Sequence, residues 1–402
     1  MRRLASWFSV LFLSAVILTY ISFILTDNFF YYESDFLPFY VSAKIFREDF
    51  RKIYDFETIL SYEKKLFPAP YKTEENYAIN PFINTPYLIL LYLPLSYLPP
   101  RFAFFTAAGL MAVILGIDLY LLHRLFAPKE KAVLPILTAL SFAPSFVTIF
   151  QTQNSLVTLL IIIGCYSLIK REKYFQTGLL ASLLLYKLQI AVVVLAFLML
   201  LRKGKIIAGF LCGGLLVFLI SALMLGGDIN IFIKANLWYV LQYEQQPVNN
   251  LYMISWQGFI TQLYYLFNGL KYATLMRISA LFLSIITVIS AGIKILKIPK
   301  IENFLPEIFS LMCITILLSA MHVQSHEAVL LLFPFFVFIS KAANKMAIIV
   351  FLGWLIFLLS FFTPFYPRPL YLAPTLYLFL IFKLISGSFG RNQTAKVKSG
   401  RQ

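Results

Sequence analysis

The chain has 402 residues, of which 60% are hydrophobic and only 13% are charged, and its mean hydropathy is +0.81. This composition excludes an ordinary soluble domain, and the long continuous apolar runs exclude a membrane β-barrel, whose strands are short and alternating. The net charge of +16 would indicate nucleic acid in a soluble protein, but here the basic residues cluster between apolar runs. We predict an all-α, polytopic transmembrane helix bundle that binds membrane lipids and no nucleic acid.

The first apolar run extends from Trp7 to Leu25 and follows Arg2-Arg3. It is longer than the core of a signal peptide and has no clear cleavage site, so we interpret it as an uncleaved first span. Because basic flanks favour the cytoplasmic side, the polar loop at about 27–80 is expected outside. We expect one membrane domain over 1–402, with this loop as its first extracytoplasmic segment.

The first loop opens with Glu33-Ser34-Asp35-Phe36. Aromatic and charged residues alternate over 35–47 and 55–65, a pattern typical of short amphipathic helices that lie on a bilayer. A carboxylate held at the membrane surface is suited to remove a proton from an acceptor hydroxyl, which makes Asp35 the candidate catalytic base. The alternative is a solvated loop acid or a helix cap, since several other acids share the loop.

The middle of the chain allows two topologies. Continuous spans would place the basic segments 123–131 and 170–173 outside, against the positive-inside rule. The interpretation that we favour treats 82–98 as a re-entrant or surface segment and 177–199 as two half-helices that meet near Lys187-Leu188-Gln189, with irregular backbone lining a cavity. The continuous alternative has spans at 82–98, 102–122, 132–149, 154–169 and 177–199.

Two polar sites interrupt this apolar region. Lys187 is surrounded by apolar residues, so it is expected to face a polar cavity or an anion, although a lysine that snorkels to the surface is equally consistent. Gln151-Thr152-Gln153-Asn154-Ser155 forms a polar island whose amides suit sugar hydroxyls, with an N-cap by Asn154 as the alternative.

The C-terminal half ends in a basic tail at about 387–402, which we expect inside. This orientation places a second long loop, at about 227–272, outside, together with the turn that carries His322, His326 and Glu327. The two histidines could contact a substrate, bind a metal or cap a turn; without a third ligand nearby we predict no metal. The spans of this half are predicted at 206–226, 273–293, 305–321, 327–340, 346–363 and 370–386.

Motifs in this order resemble glycosyltransferase family 87, the polyprenol-phosphate-mannose-dependent α-mannosyltransferase-like proteins of the GT-C superfamily. Each motif is short, and their joint order over about 30–340 carries the resemblance. The residues that carry it are Asp35-Phe36 with Phe39-Tyr40, Ile53-Tyr54-Asp55, Asn80-Pro81 to Pro94-Leu95, Gln153-Asn154-Ser155-Leu156, Gly178-Leu179 to Lys187-Leu188-Gln189, and His326-Glu327.

The resemblance implies a GT-C bundle in which the acid of the first outer loop, here Asp35, is the base of an inverting, metal-independent transfer without a cofactor. It implies that Lys187 and the His322/His326 turn bind the carrier phosphate or the sugar. We add Gln189, Glu327, Gln153, Asn154 and Tyr40 as candidate substrate-binding residues. Three positions depart from the family pattern: Thr152 replaces Gly, Leu188 replaces Pro, and Glu327 stands where Asp is common.

The sequence therefore predicts a hexosyltransferase that moves a hexose, with mannose favoured, from a polyprenyl-phosphate donor to a lipid-linked or glycan acceptor of the cell envelope. The active site is expected on the extracytoplasmic side of a bacterial-type cytoplasmic (inner) membrane. The main alternative is a transporter or flippase of a lipid-linked saccharide, and a third is a glycan polymerase or ligase. Neither alternative requires a long first loop that opens with an acid.

Overall fold

A computed structural model of the chain describes most of the bundle. Several features named above lie wholly or partly outside the described residues. They include Arg2-Arg3, Glu33, Asn80, both ends of the first apolar run, and parts of the loops 27–80 and 227–272, of the 123–131 segment and of the basic tail. The described residues are 11–22, 31–32, 34–68, 81–126, 133–239, 251, 253–268, 273–340, 344–362 and 372–399.

Helices form almost all of the described part of the chain, which contains no β-strand, so the predicted all-α polytopic bundle is confirmed. In chain order they are α1 (Leu11–Ser22), α2 (Phe36–Glu48), α3 (Phe56–Leu66), α4 (Ile89–Tyr92), α5 (Pro100–Phe126), α6 (Val133–Leu140), α7 (Ala143–Phe150), α8 (Ser155–Lys170), α9 (Tyr174–Ser182), α10 (Leu188–Leu200), α11 (Gly204–Met224), α12 (Asn230–Trp238), α13 (Trp256–Asn268), α14 (Ala273–Leu296), α15 (Leu305–Ser319), α16 (Leu332–Ser340), α17 (Asn344–Phe362) and α18 (Leu372–Ser399).

Four of the described helices are individually long and apolar enough to cross a membrane: α5, α11, α14 and the segment Ile301–Ser319 that contains α15. Helices α7 and α8 form a fifth candidate span that is bent by 117°. The other apolar helical segments are shorter, at 10 to 17 residues, and include Ile348–Ser360 of α17 and Leu372–Gly387 of α18. The chain is thus a multi-pass membrane protein whose spans include broken helices, as expected where irregular backbone lines a cavity.

The two helices predicted in the first loop are present as α2 and α3. Helix α2 buries nine of its 13 residues, more than a helix that lies on lipid with one apolar face. The Tyr40 hydroxyl donates to the carbonyl oxygen of Leu98 (2.8 Å), and Nη1 of Arg47 donates to that of Ser96 (2.9 Å). These bonds fix α2 against the short turns of residues 86–98, so α2 is part of the protein interior.

The backbone breaks in the middle of the chain follow the interpretation that we favoured. Residues 86–97 form only short helical turns, and 174–200 divides into helices on either side of Lys187. The continuous helix predicted over 132–149 is wrong, because α6 ends at Leu140 and α7 begins at Ala143. Pro144 lies in the first turn of α7, where its missing N–H cannot continue the hydrogen bonds of α6.

Helix α15 is the central element of the bundle. Nearly all of its residues are buried, and it packs against α10, α14, α16 and α18. The chain leaves α15 at Ser319 and turns through residues 320–324 into a 3-10 helix, Ser325–Leu331, that leads to α16. The predicted His322/His326 turn therefore lies at the end of the most buried helix, where its position is fixed by the core.

Candidate active site

A cavity of about 460 Å³ opens where α2, α12 and α14 meet three breaks between helices. These breaks are the α7–α8 turn, the segment at Lys187 between α9 and α10, and the turn at residues 320–324. The walls of the cavity come from segments that are far apart in sequence. Seven of the nine predicted site residues line it: Asp35, Gln153, Asn154, Lys187, Gln189, His322 and His326. Glu327 is buried beside it and contacts two of these residues, and only Tyr40 lies elsewhere.

Asp35 occupies the residue before α2, the position of a helix cap. Within the described part of the chain, its side chain makes no capping hydrogen bond to α2. Instead, its Oδ2 accepts a hydrogen bond from Nε2 of Gln153. The carboxylate is partly buried and faces the cavity. Asp35 therefore stands at the N-cap position of α2, but its side chain does not act as a cap.

The α7–α8 turn carries Gln153 into the cavity. The N–H of Thr152 donates to the carbonyl oxygen of Ile149 (3.2 Å), and the N–H of Gln153 donates to that of Thr148 (3.0 Å). This pair of bonds is the Schellman motif, which places a left-handed residue after the helix end. Thr152 is that residue, with φ of 48°, and a β-branched side chain is strained there. The pattern that the sequence resembles has glycine where this chain has Thr152, and glycine adopts the left-handed conformation without strain.

Asn154 begins α8, again without a side-chain cap. Its Oδ1 accepts a hydrogen bond from the hydroxyl of Tyr92 (2.9 Å), and its carbonyl oxygen accepts one from Tyr186 (2.9 Å). Tyr186 also contacts the hydroxyl of Thr158. These buried bonds orient the Asn154 amide at the cavity wall, so the N-cap alternative does not account for its side chain.

Lys187 sits at the break between the two half-helices, in non-helical backbone that precedes α10. Its side chain is only 20% exposed, and its Nζ donates to Oε1 of Glu327, whose side chain is 1% exposed. A buried lysine needs such a partner, because an unpaired charge inside a membrane protein is costly. The sequence identified both residues but not that they pair.

Glu327 also holds His326 and the turn before it. Oε1 of Glu327 lies 2.8 Å from Nε2 of His326, and Oε2 accepts the backbone N–H of Gln324 at 2.7 Å. The other ring nitrogen of His326 lies 3.1 Å from Oε1 of Gln151. The Glu327 carboxylate therefore links Lys187, at the α9–α10 break, to the turn that carries His326. His326 in turn contacts Gln151 of the α7–α8 turn, so these bonds hold three segments of the cavity wall together.

Gln189 has a positioning contact with the His322 turn. Its Nε2 donates to the carbonyl oxygen of His322 (3.0 Å), and its Oε1 accepts the His322 N–H (3.1 Å). The His322 ring lines the cavity and lies 3.4 Å from the hydroxyl of Tyr239. Among the described residues no group of three or more His, Cys, Asp or Glu side chains is placed to hold a metal.

Tyr40 is fully buried in α2 and does not reach the cavity. Burial raises the pKa of its phenol to about 12, so the hydroxyl stays protonated and continues to donate to Leu98. Its ring packs against Phe36 and Phe67. The structure therefore places Tyr40, a predicted substrate-binding residue, in packing contacts away from the cavity.

Several polar cavity residues were missed in the sequence, among them Arg277 on α14 and Gln257 on α13. Arg277 was visible as a single charge close to the start of an otherwise apolar predicted span, and an ionisable residue there indicates a functional site. Gln257 gave no signal of this kind. The cavity thus combines a carboxylate, several amides, an ion pair and a guanidinium, a set that can deprotonate a hydroxyl and bind sugars and anions.

Comparison with known proteins gives one family. The sequence model described as glycosyltransferase family 87 matches residues 82–320, more than half of the chain. The matched part includes the α7–α8 turn and Lys187 but ends before His322. Searches among curated proteins and among solved structures give no match.

Proposed function

Since the chain belongs to glycosyltransferase family 87 and is thereby a membrane glycosyltransferase, we propose that it transfers a hexose from a polyprenyl-phosphate donor to a lipid-linked or glycan acceptor of the cell envelope. Mannose is the first candidate for the sugar. The reaction takes place on the extracytoplasmic side of a cytoplasmic membrane. Family membership favours this reaction over transport of a lipid-linked saccharide.

In the proposed reaction Asp35 is the general base. Its carboxylate removes the proton of the acceptor hydroxyl while the acceptor oxygen attacks the anomeric carbon of the donor sugar. The bond between that carbon and the phosphate oxygen breaks, and its electron pair leaves with the polyprenyl phosphate. Attack from the face opposite the phosphate inverts the anomeric configuration.

The observation that carries the proposal is the position of the Asp35 carboxylate. It faces the cavity and accepts a hydrogen bond from Gln153, although it stands where an aspartate would normally cap α2. An ionised carboxylate has two acceptor oxygens with about four lone-pair sites, so a carboxylate that an amide donor orients can still take up the acceptor proton. Two other aspartates in the described part of the loop, Asp49 and Asp55, cap helices.

The paired charges of Lys187 and Glu327 at the same cavity suit a neutral sugar. Lys187 and Glu327 offset each other's charge, and Lys187 has two further N–H groups beyond the one given to Glu327. Asn154 and His322 add donors and acceptors at the same cavity. Such a set can hold several hydroxyl groups in one orientation, which is how a transferase brings the anomeric carbon to its base.

The test is transfer by purified protein reconstituted in membranes. Polyprenyl-phosphate mannose carrying a radiolabelled sugar is offered with lipid-linked acceptors, and the product is analysed for a new glycosidic bond and its anomeric configuration. We expect an inverted product with native protein and a loss of about 10²- to 10⁴-fold in turnover with Asp35→Asn. The matched control is Asp55→Asn, since Asn retains the α3 cap.

Two outcomes would overturn the proposal. A native rate of turnover by Asp35→Asn would show that Asp35 is not the general base. Movement of labelled lipid across the membrane without any new glycosidic bond, by protein that binds donor, would identify a flippase instead.

A further inference from the structure

Arg277 is the cavity cation that the mechanism above leaves unused. It lies in the second turn of α14 and lines the same cavity as Asp35 and Lys187. Its Nη2 atom is buried and has no hydrogen-bond partner among the described residues. A guanidinium nitrogen held out of water normally has an acceptor, so this one is placed to receive an acceptor from a bound molecule.

The charge of Lys187, by contrast, is already matched. Its ammonium group is paired with Glu327, and the carboxylate is also held by His326 and by the N–H of Gln324. An anion that approached Lys187 would therefore also approach the negative charge of Glu327. Arg277 offers a planar fork of donors that matches phosphate oxygens in pairs.

The surface around Arg277 fits a ligand with a long hydrocarbon chain. Helix α14 presents a row of exposed apolar side chains along its length, which in a membrane protein face lipid. Exposed residues precede and follow Arg277 on this helix, so the guanidinium lies at the border between the cavity and the lipid-facing surface. The row consists of Leu275, Ile278, Leu281, Phe282, Ile285 and Ile289.

We propose that Arg277 binds the phosphate of the polyprenyl-phosphate donor, with the polyprenyl chain lying along the apolar face of α14. The inference rests on the proposed function for the identity of the donor. It assigns the phosphate to Arg277 and leaves the Lys187–Glu327 pair to the sugar. The same guanidinium stabilises the phosphate as it takes the electron pair of the broken bond.

The experiment measures binding alone, by native mass spectrometry of detergent-solubilised full-length protein. Two probes are compared, polyprenyl monophosphate and the neutral polyprenol of the same chain length, and the ratio of their dissociation constants is the phosphate preference. We expect Arg277→Ala to lower this preference by about 10- to 100-fold and to leave polyprenol binding unchanged. Arg277→Lys should recover part of it, because the charge remains without the fork.

Two further variants locate the effect. Lys294→Ala removes a cation from the exposed end of the same helix and should keep the native preference. The double variant Lys187→Met/Glu327→Gln removes the ion pair without leaving a lone charge, and it should also keep most of the preference.

Several results would overturn the assignment. A native preference in Arg277→Ala would do so, as would an equal loss of both lipids, which would indicate a structural role. Loss of the preference in the double variant alone would move the phosphate to Lys187. The proposed function fails separately, if native protein shows the phosphate preference but forms no glycosidic bond from any polyprenyl-phosphate sugar.

Discussion

Helices α2 and α3 of the first loop both begin directly after an aspartate, but the two carboxylates make different contacts. Oδ1 of Asp55 accepts the backbone N–H groups of Glu57 and Thr58, at 3.1 and 3.3 Å, and so caps α3. Asp35 makes no such bond within the described residues, and its Oδ2 accepts from Gln153, across the cavity wall. The same residue type at the same helix position is structural in one case and faces the cavity in the other.

The same contrast is found at other residues of the first loop and of the cavity region. In the loop, Asp49 also caps its own turn through the N–H of Arg51 (3.1 Å). Around the cavity, Asn154 gives up its cap, and Thr152 adopts a left-handed conformation. A helix cap contributes about 1 kcal/mol to stability. At Asp35, Thr152 and Asn154 the cavity region lacks such local contributions, and positions of this kind are candidates for function.

The largest effect is expected from the ion pair. Lys187→Met leaves the carboxylate of Glu327 buried beside His326 without its lysine, which should lower the free energy of unfolding by about 3 kcal/mol. The double variant Lys187→Met/Glu327→Gln should recover most of this loss. Thermal unfolding in detergent measures both. If the single variant is as stable as the native protein, the pair does not hold the cavity wall together.

A smaller effect is expected from the donor to Asp35. Gln153→Leu removes the hydrogen bond that fixes the carboxylate, and we expect turnover to fall about tenfold at saturating donor. Gln262→Leu is the matched control, because the amide of Gln262 is buried but bonds to the carbonyl oxygen of Leu251, away from Asp35. That variant should lose stability and keep its turnover per folded molecule. Equal losses of turnover in both variants would contradict the role of Gln153.

The smallest effect has the opposite sign. Thr152→Gly removes a side chain from a left-handed position, and we expect a gain of about 1 kcal/mol in the free energy of unfolding. Thr152→Ala retains Cβ and should gain less. The measurement is again thermal unfolding. A loss of stability in the glycine variant would show that the left-handed conformation at Thr152 stores no strain.

The sequence was sufficient to predict the membrane class, the break at Lys187 and some of the segments that line the cavity. Charge bias and apolar length are properties of single segments, so they can be evaluated without tertiary structure. Asp35, Gln153, Lys187 and His326 were each identified from their own surroundings and then found around one cavity. Their roles in catalysis and binding remain predictions.

Pairings between distant segments could not be predicted. Lys187 and Glu327 are separated by 140 positions, and no local pattern connects them. The burial of Tyr40 depends on the position of Leu98 in a neighbouring turn, which the sequence leaves open. The sequence alone does not single out Arg277, since a lone arginine near the end of a span can equally reach the membrane surface. Only the tertiary structure shows that Arg277 lines the cavity.

The central claim is that Asp35 supplies a base where Asp55 supplies a cap. Serine separates these roles, because it caps helices as well as aspartate does but cannot act as a general base at neutral pH. The direct measurement is the rate of transfer by Asp35→Ser and Asp55→Ser in the same membranes. We expect Asp35→Ser to be at least about 100-fold slower than native protein and Asp55→Ser to equal it. A native rate in Asp35→Ser would contradict the account.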